Sequence, residues 1–136
     1  MKQILLNPGP ANTTQSVKYA QIKDDICPRE NAFGKVMLDV KTKLTEFVTN
    51  CEHYTTVMFG SSGTGAIEAV ISSLPKDSKI LIVTNGEYGR RAKKIADIYN
   101  VNNEQLDFGD SLIKYEEVLD KAAEADFTHM YIVHCE

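Results

Sequence analysis

From Tyr54 to the end of the chain, short runs of β-branched and aromatic residues alternate with longer runs of helical character, and this alternation constrains the fold most. Its sharpest member is Lys79-Ile80-Leu81-Ile82-Val83-Thr84. A strand with one wet face alternates apolar and polar residues; an unbroken apolar strand is covered on both faces. Tyr54–Phe59, Glu104–Asp107 and Thr128–His134 are predicted as its companion strands. Helices are predicted between them, to about Leu74 before Pro75, over Tyr88–Asn100 and over Lys114–Ala125. The order β, α, β, α, β, α, β implies a mostly parallel sheet in a three-layer α/β/α architecture.

Upstream the pattern differs. Pro8-Gly9-Pro10 excludes helix and pushes Asn7 towards extended backbone. Thr14 or Ser16 caps a short helix to about Lys23. From Ala32 to Asn50, Phe33, Val36, Met37, Val40, Leu44, Phe47 and Val48 recur at helical spacing. Residues 1–30 therefore read as an extended segment with one short helix, and 31–136 as the α/β domain. The last predicted strand has no returning helix, which marks the chain as the N-terminal piece of a longer domain.

Phe59-Gly60-Ser61-Ser62-Gly63-Thr64-Gly65 joins a predicted strand to a helix. The first N–H groups of a helix lack intrahelical partners and carry partial positive charge. Glycines admit an anion closely, and Ser and Thr add hydroxyl donors, so the turn reads as a phosphate cradle. No Lys follows the glycines as a P-loop requires, and their spacing is not that of a dinucleotide fingerprint. The bland alternative is a Gly-rich loop, capped by Ser62 or Thr64, that holds nothing. In Asn85-Gly86-Glu87-Tyr88-Gly89-Arg90, Tyr88 opens a helix where an aromatic can stack on a flat ring, or simply pack half-exposed. The glycine turn, the Asn85–Tyr88 segment and His134-Cys135-Glu136 all follow predicted strands, at the edge where such sheets bind ligands.

Other clusters read as structural. Cys51-Glu52-His53 and His134-Cys135-Glu136 point alternate side chains to opposite faces, so neither chelates a metal as a unit. His129 and His134 read as hydrogen-bonded core residues, Glu68 as a structural or solvated acid, and Arg90–Lys94 as a solvated helix face. The 136 residues are 43% apolar and 25% charged with net charge −4, which gives no sign of a nucleic-acid or membrane partner. Three widely spaced cysteines read as reduced cytoplasmic thiols, and no signal peptide or membrane span is visible.

Leu6-Asn7-Pro8-Gly9-Pro10, Ser62-Gly63-Thr64-Gly65-Ala66-Ile67-Glu68-Ala69, Asn85-Gly86-Glu87-Tyr88-Gly89-Arg90 and His134-Cys135-Glu136 occur in this order. Together they resemble the class V pyridoxal-phosphate aminotransferases. The likeness runs through essentially the whole chain and is closest to members that move the amino group of 2-aminoethylphosphonate to pyruvate, giving phosphonoacetaldehyde and alanine. It implies a fold type I large domain, pyridoxal 5′-phosphate as cofactor and a cytoplasmic homodimer. It places Ser62, Gly63 and Thr64 on the cofactor phosphate, Tyr88 on its ring, and Pro8 and Gly9 near the substrate entrance. The family's catalytic lysine, its Asp at the pyridinium nitrogen and its substrate-gripping Arg lie downstream, so no catalytic residue is assigned here. Two alternatives stand beside this one: a class V enzyme acting on alanine, serine or glyoxylate, and a non-catalytic phosphate-binding α/β domain.

Overall fold

A computed structural model describes residues 3–7, 9–134 and 136. The chain forms two compact units, Met1–Met58 and Phe59–Glu136. The boundary expected after residue 30 falls at the N-cap of a helix inside the first unit.

In the first unit, Asn12 Oδ1 accepts from the Leu5 amide at 2.7 Å and steadies the extended segment. Helix α1 (Gln15–Ala20) starts where the sequence places it, with the Thr14 hydroxyl accepting from the Val17 amide at 3.4 Å. Helix α2 (Asn31–Val48) follows the predicted periodicity, and no residue on it is buried. The strand expected over Tyr54–Phe59 is absent. A strand exists only through a neighbour's ladder. Here the Thr56 amide donates instead to the Thr45 side chain at 3.1 Å, and the two threonine hydroxyls share a 2.8 Å hydrogen bond.

The second unit begins with α3 (Gly63–Ser72), whose end precedes Pro75. Then come β1 (Lys79–Thr84), α4 (Glu87–Ile98), β2 (Asn102–Asp107), α5 (Tyr115–Ala123) and β3 (His129–Ile132). The sheet is parallel in the order β2-β1-β3, with Ile82 level with Gln105 on one side and Tyr131 on the other. The unbroken apolar run is therefore the central strand, as its composition requires. Period-two alternation sends Ile80 and Ile82 to one face, against Ile71 of α3 and Ala92, Ile95 and Ala96 of α4. Leu81 and Val83 go to the other face, against Val118 of α5. Each such fully buried aliphatic side chain contributes about 1.5–3 kcal/mol.

The connection β1–α4–β2 runs to one side of β1, and β3 returns to its other side. The strand order thus reverses beside β1, where sheets of this kind open a crevice at their carboxyl edge. Buried Thr84 ends β1 there: its hydroxyl donates to Asp107 Oδ1 at 2.7 Å and accepts from the Gln105 side-chain Nε2 at 2.9 Å. The Thr84 hydroxyl, then the Gly109 backbone N–H, hold the Asp107 carboxyl below the usual range. The two histidines expected in the core are exposed: His129 lies on β3, an outer strand among the described residues, and His134 lies beyond that strand; His129 Nδ1 bonds the Thr128 hydroxyl at 2.8 Å.

Candidate cofactor-phosphate site

Two helix N-termini lie in the second unit beside candidate residues, and they differ in what satisfies them. At α4 the Glu136 carboxylate accepts from the Tyr88 amide at 3.0 Å and the Gly89 amide at 2.7 Å. A carboxylate there meets the positive end of the helix dipole. The same carboxylate fills the space beside Gly86, where an added Cβ would lie 2.6 Å from it. Residues after β3 and after β1 are thereby tied together, so two of the three predicted rim segments do converge. Glu136 was read from sequence as part of a poor metal triplet, of a rim segment and of a family motif; its capping role needs the fold.

The N-terminus of α3 is open. Ser62 is its N-cap and makes no side-chain capping bond. The Ser62 carbonyl takes up the Gly65 and Ala66 amides, at 2.9 and 3.3 Å. The amides of Gly63 and Thr64, immediately before them, have no partner among the described residues. An added Cβ on Gly63 would meet nothing within 4 Å, whereas one on Gly65 would strike the Ser61 side chain, with Ser61 Cβ 2.8 Å away. Two unpartnered donors therefore sit beside open space at Gly63, with Gly65 packed against the Ser61 side chain. These donors, with the Ser62 and Thr64 hydroxyls, suit the oxygens of a phosphate.

Thr64 is half-buried, and its hydroxyl accepts from Arg91 Nη1 at 3.1 Å. The Arg91 guanidinium also lies 5.5 Å from the centre of the Tyr88 ring, within cation–π reach. Tyr88 itself is 39% exposed. The glycine turn follows no strand, so the sheet does not deliver it to the rim. Arg91 is what connects it to Tyr88. The reading of Arg90–Lys94 as a solvated face holds for Arg91 and Lys94, which are exposed, while Arg90 and Lys93 are half-buried and paired. Arg90 bridges Glu87 and Asp110, each at 3.0 Å, and Lys93 pairs with Asp97 at 2.6 Å. A signal for Arg91 did exist: three residues after Tyr88 on one helix puts both side chains on the same face.

Glu68 accepts from the Tyr99 hydroxyl at 2.6 Å, which raises the Tyr99 pKa and fits the structural role read for this acid. Gly9 is exposed in the first unit with open space around it, and Pro8 lies outside the described residues. Cys27 and Cys51 are free and exposed; Cys135 lies outside the described residues. Among the described residues no three His, Cys, Asp or Glu side chains stand together as a metal site, and no helix is long and apolar enough to cross a membrane.

No protein-family model matches the chain. Individual proteins do. It is 36% identical, over 98% of its length, to the 2-aminoethylphosphonate–pyruvate transaminase of Vibrio vulnificus strain CMCP6, and spans 37% of that protein. It is 37% identical, again over 98% of its length, to a bifunctional phosphonoacetaldehyde hydrolase/aminoethylphosphonate transaminase of Clostridioides difficile strain 630, of which it spans 21%. Among solved structures, the alanine–glyoxylate aminotransferase of Nostoc sp. superposes with a TM-score of 0.78 at 25% identity, over 98% of this chain and 36% of that one. The chain is thus similar over 98% of its length to 2-aminoethylphosphonate–pyruvate transaminases, of which it spans little more than a third, and has the fold of the N-terminal part of the fold type I aminotransferases.

Proposed function

We propose that this chain provides the phosphate anchor and one wall of the ring slot in a pyridoxal-phosphate-dependent aminotransferase that moves the amino group of 2-aminoethylphosphonate to pyruvate. The observation that carries the proposal is the open N-terminus of α3, with two unpartnered amides and the hydroxyls of Ser62 and Thr64, in a chain similar to those transaminases over 98% of its length. When bound, pyridoxal phosphate supplies an aldehyde that takes up the amino group and a pyridinium ring that draws off electrons. The residues of this chain bind and orient. Gly63 and Thr64 donate backbone hydrogen bonds to the phosphate, and the Ser62 and Thr64 hydroxyls add two more. Tyr88 covers one face of the ring. Glu136 holds the first turn of α4, and with it the Tyr88 backbone, in place. Pro8 and Gly9 belong near the substrate entrance in this reading, and the active protein is a cytoplasmic homodimer.

A titration followed by NMR tests the anchor even where binding is weak. Pyridoxal phosphate and inorganic phosphate are each expected to move the Gly63 and Thr64 amide resonances; pyridoxal phosphate alone also moves the Tyr88 ring resonances. Thr64→Val is expected to weaken pyridoxal phosphate by about 1.5–3 kcal/mol, the contribution of a hydrogen bond to a charged group. Shifts with phosphate but none at Tyr88 would favour the plain phosphate-binding alternative. No shift at Gly63 or Thr64 with either compound would end both readings.

A further inference from the structure

Arg91 touches both parts of the proposed slot, its hydroxyl-bearing cradle and its aromatic wall. Nη1 donates to Thr64 Oγ1 at 3.1 Å, and the guanidinium stands 5.5 Å from the Tyr88 ring centre. We infer that Arg91 is a positioning residue that sets the Thr64 hydroxyl and the Tyr88 ring together for a phosphorylated aromatic ligand. This inference rests on the cofactor-phosphate reading above and gives it a mechanism.

A threonine hydroxyl has one proton and two lone pairs. Arg91 has five N–H donors and no acceptor, so at their contact Thr64 must accept. Its own proton is then left to be donated elsewhere, and a phosphate oxygen in front of the free Gly63 and Thr64 amides is the matching acceptor. An arginine is always charged near neutral pH, so the arrangement does not depend on protonation state. The planar guanidinium also suits the face of an aromatic ring, which steadies Tyr88 from one side and leaves the ring's other side for a ligand. Lysine lacks the flat fork, so it could supply charge but not both contacts at once.

The test compares Arg91→Met and Arg91→Lys with the parent chain by NMR titration with pyridoxal phosphate and with inorganic phosphate. Both variants are expected to bind pyridoxal phosphate about tenfold more weakly, the size of one charge-assisted hydrogen bond. The Tyr88 ring resonances are expected to move in both variants before any ligand is added. In the Thr64→Val background, Arg91→Met is expected to cost clearly less than in the parent, because the shared hydrogen bond is already gone. Full recovery in Arg91→Lys would reduce Arg91 to a local charge and overturn the inference. Unchanged affinity in Arg91→Met, or equal loss in both backgrounds, would overturn it too. These outcomes presuppose parent binding at Gly63 and Thr64, so failure of the parent to bind is failure of the cofactor-phosphate reading and takes this inference with it.

Discussion

Substituting alanine at two helical glycines should change stability in opposite directions. Gly89 lies in the first turn of α4, against the end of the central strand. A Cβ there would stand 3.0 Å from Thr84 Cα and 3.1 Å from Thr84 Cβ and Cγ2. Ordinary carbon contacts lie at about 3.5–4.0 Å, so one partner must move by about 0.5 Å. Thr84 cannot. It is fully buried, its carbonyl accepts from the Phe108 amide at 2.8 Å, and its hydroxyl is held by Asp107 and Gln105. Helix α4 must lift instead, loosening Ala92 and Ala96 from the sheet and straining the amides that Glu136 caps. Such overpacking costs about 1–3 kcal/mol, while alanine's better helix propensity returns at most about 1 kcal/mol. Gly89→Ala is therefore expected to destabilise by about 1 kcal/mol. Gly34, in exposed α2, has nothing within 4 Å of an added Cβ. There the propensity gain stands alone, and Gly34→Ala should stabilise by about 0.5–1 kcal/mol. Urea unfolding followed by far-UV circular dichroism reads both. With a slope of about 1–3 kcal/mol per molar, the midpoints should part in opposite directions, by about 0.3–1 M for Gly89→Ala and about 0.2–1 M for Gly34→Ala. A Gly89→Ala chain as stable as the parent would show that the strand end yields to the added methyl, and would refute the packing argument.

Ile82→Ala, at a fully buried site in the middle of the central strand, should cost about 2–5 kcal/mol by the same urea assay, the range for deleting a core isoleucine side chain. Glu104 sits between Lys79 at 2.6 Å and Lys121 at 3.0 Å, and hydrogen bonding to Lys79, then Lys121, lowers its pKa from 4.5. A depressed carboxylate adds stability above its unfolded pKa and loses it as pH falls through the folded value. Urea midpoints measured from pH 7 down to pH 3 should therefore fall less steeply with acid in Glu104→Gln than in the parent. Parallel acid limbs in the two proteins would refute that linkage.

What the sequence disclosed about the fold depended on how local the determining physics is. The run Ile80–Val83 needs no partner to declare itself, since only a strand buried on both faces reads that way, and it is the central strand. Each helix carries its own period, and each boundary lies within a few residues of the predicted one because Thr14, Pro75 and the polar turns act nearby in sequence. Tyr54–Phe59 has strand composition too, yet forms none. Composition gives a segment's preference, while the ladder depends on a neighbour, and the Thr56 amide has taken the Thr45 side chain instead. His129 was misplaced for a related reason: an apolar segment gives no measure of whether its strand lies at the centre or the border of the sheet, nor of where that strand ends, which leaves His134 beyond it.

The candidate site divides along the same line. Backbone donors at a glycine turn before a helix follow from local geometry, so the Ser62–Thr64 cradle could be proposed from residues alone. Charges are different, because the meaning of a surface cation is set by what stands opposite it. Four basic residues close together on α4 look alike in sequence, but Arg90 faces Asp110, Lys93 faces Asp97, and Arg91 alone faces Thr64 and Tyr88. Glu136 follows the same logic, since an acid after the last strand becomes a helix cap only when that strand lies beside β1. The parallel order β2-β1-β3 brings the Glu136 carboxylate to the N-terminus of α4, while no side chain caps that of α3. That asymmetry is the physical ground on which the phosphate is proposed at α3 and the ring at α4.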